Sequence, residues 1–378
     1  MQSPLHQIAD RTTLLTAVRA EDPELNRALR TSARAITDAV FGREIFLRGL
    51  LEISNLCARE CLYCGLRRSN RTLQRYRMTP DEIVQRAHLA KTAGLPTVVL
   101  QSGEGIYSVA ELCDIVRRVK RETDRVITLS CGEFSRDDYG RLREAGADRY
   151  LLRHETADPD LYAKLHPGYT AEGRLRCLDY LKEFGYEVGS GFMIGLPGQT
   201  PESILRDLEL LVDRQVHMAG VGPFIANPDT PLADAADGNC EVVLNVIAIL
   251  RHAMPGCNLP ATTALDTLSK TGREEGIEAG ANVVMPGLTP ANNRELYAIY
   301  PNKRCKSEDA AVCIPCTQAR LTANGYKVST TKGWSKTNRH PPRPLACSPP
   351  AGFPSGLPEA VTRRSAVHQL QRGAAGSQ

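Results

Sequence analysis

VITLSCGEFSRDDYGRLREAGADRYLLR, residues 126–153, decides the fold. It opens with a short apolar, β-branched run, passes through a polar stretch with apolar residues at helical spacing, and closes on a second apolar run. That is a strand, an amphipathic helix and a strand. Two strands joined by one helix must lie parallel, with a right-handed crossover.

The same alternation extends both ways along the 378-residue chain. Strand-like runs fall at 45–53 (IFLRGLLEI), 97–100, 126–129, 150–153, 187–194, 216–222, 258–261 and 281–284. Helical patterns fall at 80–93, 109–123, 135–145, 171–184, 201–213, 240–253 and 273–279. Eight strands with intervening helices predict an α/β fold of the closed (β/α)8, TIM-type barrel class. No G-x-G-x-x-G follows an early strand, which disfavours a dinucleotide-binding sheet. Residues 1–41 read as an N-terminal helical segment, with helical periodicity from 8 to 40. The barrel is assigned to 42–304, a cysteine-rich segment to 305–335, and a disordered basic, Pro-rich tail to 336–378, where 341–358 alone holds seven prolines.

Composition narrows the function. Hydrophobic residues are 42% and charged residues 24%, which suits a globular body. The net charge is +4. Residues 320–378 carry nine Lys/Arg and one Asp/Glu, a net of +8, so residues 1–319 carry −4. A mildly acidic body argues against nucleic acid as partner. The longest apolar run, 242–250, is broken by Asn245 and too short to span a membrane. The N-terminus lacks a secretory pattern, so a cytoplasmic location is expected, where the 12 cysteines stay reduced and spaced ones read as metal ligands.

Chemistry in such barrels sits at the C-terminal ends of the strands. There the chain places SNLCARECLYC, QSGEG, SCGE, RHET, MIGLPGQT, PFIANPDTP and ATT. Cys57, Cys61 and Cys64 are spaced C-x3-C-x2-C. Three thiolates on one loop can hold a [4Fe–4S] cube and leave one iron open. The open iron can chelate the amine and carboxylate of S-adenosylmethionine, whose sulfonium bond an electron then splits. Zinc is the competing reading, but it wants four ligands and no fourth Cys or His lies nearby. Tyr63 suits packing on an adenine. A second triad, Cys305, Cys313 and Cys316, is spaced C-x7-C-x2-C after the last strand; it reads as a second iron–sulfur cluster or a structural zinc. The other six cysteines show no ligand spacing; Cys113 and Cys177 read as core residues and Cys131, at a strand end, as packing.

With both triads in view, the sequence resembles the HydE family, the radical S-adenosylmethionine maturases of [FeFe]-hydrogenase. The likeness runs from about Gly42 to Trp334 and rests on ISNLCARECLYCGLRR, RYRMTPDEIV, VLQSGEG, LLRHETADPDLYAKLHP, GLPGQTPES, GPFIANPDTPLA, PATTAL, GANVVMP and the CIPC segment. The resemblance implies an enzyme that cleaves S-adenosylmethionine to a 5′-deoxyadenosyl radical. Its implied substrate is an organometallic Fe(CO)2(CN)–cysteine precursor, processed during H-cluster assembly alongside partner maturases and an electron donor. It implies that Cys57, Cys61 and Cys64 hold the catalytic [4Fe–4S] cluster, and that Gln101, Ser102, Ser130, Glu155 and Arg174 line the S-adenosylmethionine site, with Met193 on the cavity wall. A carboxylate at Glu155 suits ribose hydroxyls or the methionine amine, and a guanidinium at Arg174 suits the methionine carboxylate. Arg153, Thr262 and Thr263 are implied to form a substrate pocket, with Met285, Tyr297 and Tyr300 lining it. The second triad matches the family's optional auxiliary cluster, often [2Fe–2S]. The chain departs from the family pattern at Gly105, where an acid is expected, and at Ala226–Asn227, in place of Pro-His. Other readings are a biotin synthase- or methylornithine synthase-like radical enzyme acting on a small thiol or amino acid, and a non-catalytic iron–sulfur carrier or scaffold.

Overall fold

The computed structural model describes residues 4–305 and 307–337. Before the first strand come α1 (Arg11–Arg19) and α2 (Pro23–Phe41). The helical segment expected over 8–40 is made of these two helices. Ala20 takes a left-handed φ of 58°, Asp22 caps the next helix through the N–H groups of Glu24 and Leu25, and Pro23 fits its first turn.

Strands and helices then alternate: β1 (Glu44–Ser54), α3 (Pro80–Thr92), β2 (Thr97–Ser102), α4 (Val109–Thr123), β3 (Val126–Ser130), α5 (Arg136–Glu144) and β4 (Arg149–Leu151). Two helices, α6 (Pro159–Leu165) and α7 (Ala171–Glu183), precede β5 (Glu187–Ile194), followed by α8 (Pro201–Asp213), β6 (Met218–Pro223) and α9 (Cys240–Ala253). Next come α10 (Thr263–Leu268), α11 (Gly272–Glu278), β7 (Val283–Val284), α12 (Ala291–Leu296), α13 (Ala310–Ala323) and β8 (Lys327–Ser329). The caps are chemical. Thr79 and Ser108 form capping boxes with Glu82 and Glu111.

All neighbouring strands pair in parallel, in the order β6-β5-β4-β3-β2-β1-β7, with β8 added beside β1. Residues 258–261 link the two ends of that row through the bridges Met218↔Asn258 and Pro260↔Val283, so the sheet closes as the (β/α)8 barrel the pattern predicts. Pro260 has no N–H to give, which keeps this eighth position to isolated bridges. Buried Arg251 supports the turn before it, donating to the carbonyls of Pro255, Cys257 and Gly280. Helices α1 and α2 pack on α8 and α9. The short helices α6, α10 and α12, the 14-residue α13 and strand β8 go beyond the sequence pattern.

The barrel floor is polar. Arg149 is fully buried, with Nε 2.6 Å from Glu187 Oε2 and Nη1 donating to Thr97 Oγ1 at 3.1 Å. Below it the chain returns as a strap. The Gly333 carbonyl accepts from Arg48 Nη2 (3.3 Å), Arg149 Nη2 (3.1 Å) and Asn258 Nδ2 (3.0 Å). The Trp334 ring lies 4.3 Å from the Arg149 guanidinium, and Lys336 N–H donates to the Gly256 carbonyl. From residue 338 on, the expected tail lies outside the described residues. No helix among the described residues is long and apolar enough to cross a membrane.

Candidate functional site

Opposite the floor, at the C-terminal ends of the strands, lies a cavity of about 240 Å³. Cys57, Cys61 and Cys64 line it, on the loop leaving β1. That loop is shaped by Arg75, whose guanidinium donates to the carbonyls of Asn55, Leu66, Arg67 and Asn70. Asn55 ties it back by accepting from Tyr76 N–H and donating to the Gln74 and Leu296 carbonyls. Cys57 Sγ already accepts backbone N–H groups from Arg59 and Glu104, each at 3.4 Å. Burial pushes the Cys57 thiol up, Cys61 to about 12, and Cys64 higher still. These thiols ionise readily only against a compensating cation, as metal ligation supplies.

Beside the thiols, two arginines and two glutamates form a closed ring. Arg59 Nε is 2.6 Å from Glu104 Oε2 and its Nη2 2.8 Å from Glu133 Oε2. Arg174, on α7, reaches the same carboxylates through Nη2 (2.9 Å to Glu104) and Nε (3.0 Å to Glu133). The Nε–Glu133 contact is ionic rather than a directed hydrogen bond, since Nε–H points to Tyr162 OH at 3.3 Å. Burial would lift the Glu104 carboxyl, but the Arg174 and Arg59 charges outweigh it and hold it below its usual range. The tight approach needs glycine twice. A Cβ on Gly132 (φ +92°) would meet Glu104 Cγ at 2.2 Å, and one on Gly103 would meet the Leu56 carbonyl oxygen at 1.9 Å.

Register places the polar strand ends side by side, with Glu52 opposite Gln101 and Gln101 opposite Ser130. Gln101, Ser102, Ser130, Tyr63, Met193, Arg153, Glu155, Thr262, Tyr297 and Tyr300 all line the cavity. Glu155 stands out. Its φ is +65°, and Thr156 N–H returns to the His154 carbonyl at 2.8 Å, a three-residue turn in the strained sense. Such strain costs of order 1–3 kcal/mol and persists only where the surroundings over-determine it. Arg153 Nη2 is 3.2 Å from Glu155 Oε2, yet Arg153 Nε and Nη2 and Glu155 Oε2 are buried without hydrogen-bond partners, as is Arg59 Nη1. Buried, unmatched donors and acceptors on a cavity wall suit a polar ligand.

The geometry leaves two expected residues outside this set. Thr263 is the first residue of α10, and Met285 packs towards the Ile36, Val40 and Phe41 side of α2. Met285 follows Val284, and successive residues of an extended chain face opposite ways. Thr262 does line the cavity, while its hydroxyl caps α10 at Leu265 N–H. Arg59, Glu104, Glu133 and Arg75 carry no role in the sequence pattern and emerge only from the structure. A signal existed for the acids: Gly-Glu recurs after both β2 and β3, at 103–104 and 132–133.

In the second triad, Cys313 is buried and Cys316 exposed, one turn apart on α13; Cys305 precedes the helix with φ +56°. Gly287 N–H donates to Cys313 Sγ at 3.4 Å, and burial with the nearby Glu308 and Cys313 pushes the Cys305 thiol to about 11. Among the described residues, no three His, Cys, Asp or Glu side chains converge on a single-ion site. A four-iron cube spreads its thiolates over separate irons and does not ask them to converge on one point. The first triad fits such a group: three thiols on one cavity, one already receiving backbone N–H groups, beside unmatched polar atoms.

Residues 51–211 match the Radical SAM superfamily. The chain is 46% identical over 327 residues to the [FeFe] hydrogenase maturase subunit HydE of Thermotoga maritima, covering 86% of this chain and 94% of that protein. It is 31% identical to a 3-methylornithine synthase of Methanosarcina acetivorans, over 71% of this chain and 76% of that one. Among solved structures, methylornithine synthase superposes with a TM-score of 0.74 at 28% identity, covering 86% of this chain and 96% of that one. The maturase HydG from Carboxydothermus hydrogenoformans, at 20% identity, shares the fold with a TM-score of 0.69 over 88% of this chain and 79% of its own.

Proposed function

The chain belongs to the HydE family of radical S-adenosylmethionine [FeFe]-hydrogenase maturases, and we propose how its residues divide the work. Cys57, Cys61 and Cys64 hold a [4Fe–4S] cluster with one iron open. Such a cluster supplies the electron that splits bound S-adenosylmethionine into methionine and a 5′-deoxyadenosyl radical. Tyr63, Gln101, Ser102, Ser130 and Met193 shape the nucleoside side of the cavity. Glu155 accepts from ribose hydroxyls or the methionine amine, and Arg174, poised by Glu104 and Glu133, faces the methionine carboxylate.

An adjoining stretch of the wall takes the second reactant. Arg153, Thr262, Tyr297 and Tyr300 face the same cavity, and the unmatched Arg153 donors suit an anion. We infer that the substrate is the Fe(CO)2(CN)–cysteine precursor, whose cyanide and carboxylate answer that guanidinium, with Thr263 and Met285 behind the wall. Cys305, Cys313 and Cys316 hold a second iron–sulfur cluster, [2Fe–2S] or [4Fe–4S], outside the reacting cavity. Partner maturases supply and accept the organometallic species, and a reductant feeds the first cluster in the cytoplasm.

One observation carries this reading: a single cavity joins the three thiols to the unmatched polar wall. The test is anaerobic. Reconstituted protein with dithionite and S-adenosylmethionine should release 5′-deoxyadenosine, and the iron–cysteine precursor should accelerate that release. Acceleration by a lysine-like amino acid instead would move the assignment towards methylornithine synthase chemistry, the activity of the 31% identical relative.

A further inference from the structure

Behind the cavity wall lies a polar trio that the proposed chemistry does not use. His154 precedes Glu155 and faces away from the cavity, into the layer between barrel and helices. Its Nδ1 lies 3.0 Å from Ser190 Oγ on β5, and its Nε2 lies 3.3 Å from Asp207 Oδ1 on α8. Ser190 and Asp207 are fully buried, His154 is 1% exposed, and none of the three lines the cavity. A sealed serine, histidine and aspartate reach no substrate, so hydrolysis is not their task.

Their position relative to Glu155 suggests another. Asp207 Oδ1 also accepts the Ala157 N–H, so one carboxylate holds the chain after the strained turn by a hydrogen bond and meets the His154 ring before it in a close contact that is not a directed hydrogen bond. On β5, Gly191 accepts the Glu155 N–H at 3.0 Å, and Met193 N–H donates to the Glu155 carbonyl at 3.3 Å. Backbone pairing fixes Glu155 itself, while Asp207 ties down Ala157 on one flank and, with Ser190, confines the His154 ring on the other. A positive φ on glutamate persists only under such constraint. Asp207 also sits where burying a carboxylate is costly, with Oδ2 unmatched, on the buried face of α8 among Ile204, Leu208 and Leu211. A local gain elsewhere must offset that cost.

We propose that Asp207 and His154 are positioning residues that hold the Glu155 carboxylate at the cavity wall. This rests on the reading that Glu155 contacts S-adenosylmethionine. Asp207 touches no reactant and acts only through the turn.

The test is a double-mutant cycle on the dissociation constant of S-adenosylmethionine, using cluster-reconstituted full-length protein. Glu155→Gln alone should weaken binding about tenfold. Asp207→Ala should weaken it about three- to tenfold, with the cluster's reduced spectrum unchanged. The combined variant should bind no more weakly than Glu155→Gln, because Asp207 has nothing left to position. Additive losses, or an unchanged constant in Asp207→Ala, would overturn the proposal. An unchanged constant in Glu155→Gln would instead overturn the ligand reading of Glu155, and the proposal with it. Should Asp207→Ala fail to fold, Ser190→Ala, which deletes only the hydroxyl facing His154, runs in the same cycle with the same expected non-additivity and the same overturning results.

Discussion

The two cysteine triads share a closing C-x2-C step and lie in different surroundings. The first lies on a loop bound in place by Arg75 and Asn55, and all three thiols open on one cavity with charged walls. The second is split between a helix and the turn before it, with Cys313 buried and Cys316 in solvent. Neither arrangement follows from counting residues between cysteines. What makes three thiols a reaction centre is the space they share with polar groups that have no partner yet.

The sharpest break between the triads is in activity. Cys61→Ala should abolish 5′-deoxyadenosine formation under dithionite while far-UV dichroism keeps the native spectrum, since two thiolates cannot hold a cube with one defined open iron. Near-normal product would remove the distinction altogether. Alkylation of metal-free protein should come next in size. With its thiol pushed to about 12, Cys61 at pH 8 is ionised in only about one molecule in ten thousand, and only the thiolate reacts. The sign follows: reaction at Cys61 rises as pH rises towards that value. Peptide mapping after iodoacetamide at pH 8 should find Cys316 modified long before Cys61 or Cys64, and the reverse order would say that the first loop opens when empty.

Arg174→Lys probes the first triad's charged wall. Lysine cannot reach Glu104 and Glu133 as a fork. Losing a charge-assisted bond worth roughly 1.5–3 kcal/mol should raise the dissociation constant about ten- to a hundredfold. Calorimetry should show S-adenosylmethionine and S-adenosylhomocysteine weakened alike, as they share the carboxylate; unchanged affinity for both would leave Arg174 as a support for Glu104 and Glu133. The smallest effect belongs to the second triad. Replacing Cys305, Cys313 and Cys316 together should remove a separate metal signal yet leave cofactor cleavage within about threefold, a change of under 1 kcal/mol. A large loss would show that the triads are coupled.

The barrel was legible because parallel strands buried on both faces read as apolar runs, and amphipathic helices between them repeat a different period. Cys57, Cys61 and Cys64 were legible because one loop carries them. The ring of Arg59, Glu104, Glu133 and Arg174 was not, since it joins four separate segments through pairings that leave no periodic trace. Met285 shows the opposite failure: its place after a strand suggested the cavity, but a one-residue alternation turns it to α2. The positive φ at Glu155 was equally hidden, because glutamate carries no sign of a left-handed turn, as glycine does.

The Gly333 carbonyl gathers donors from β1, β4 and the segment after α9, and β8 settles beside β1 just before it. Arg48 and Arg149 thus emerge from the ribosome long before the oxygen they will share. Strands made early must wait, incompletely satisfied, for a residue about 285 positions downstream of Arg48. Synthesis order and closure order are opposed in this chain. Its barrel floor can be sealed only once Gly333 has been made, and until then those donors face water or chaperones.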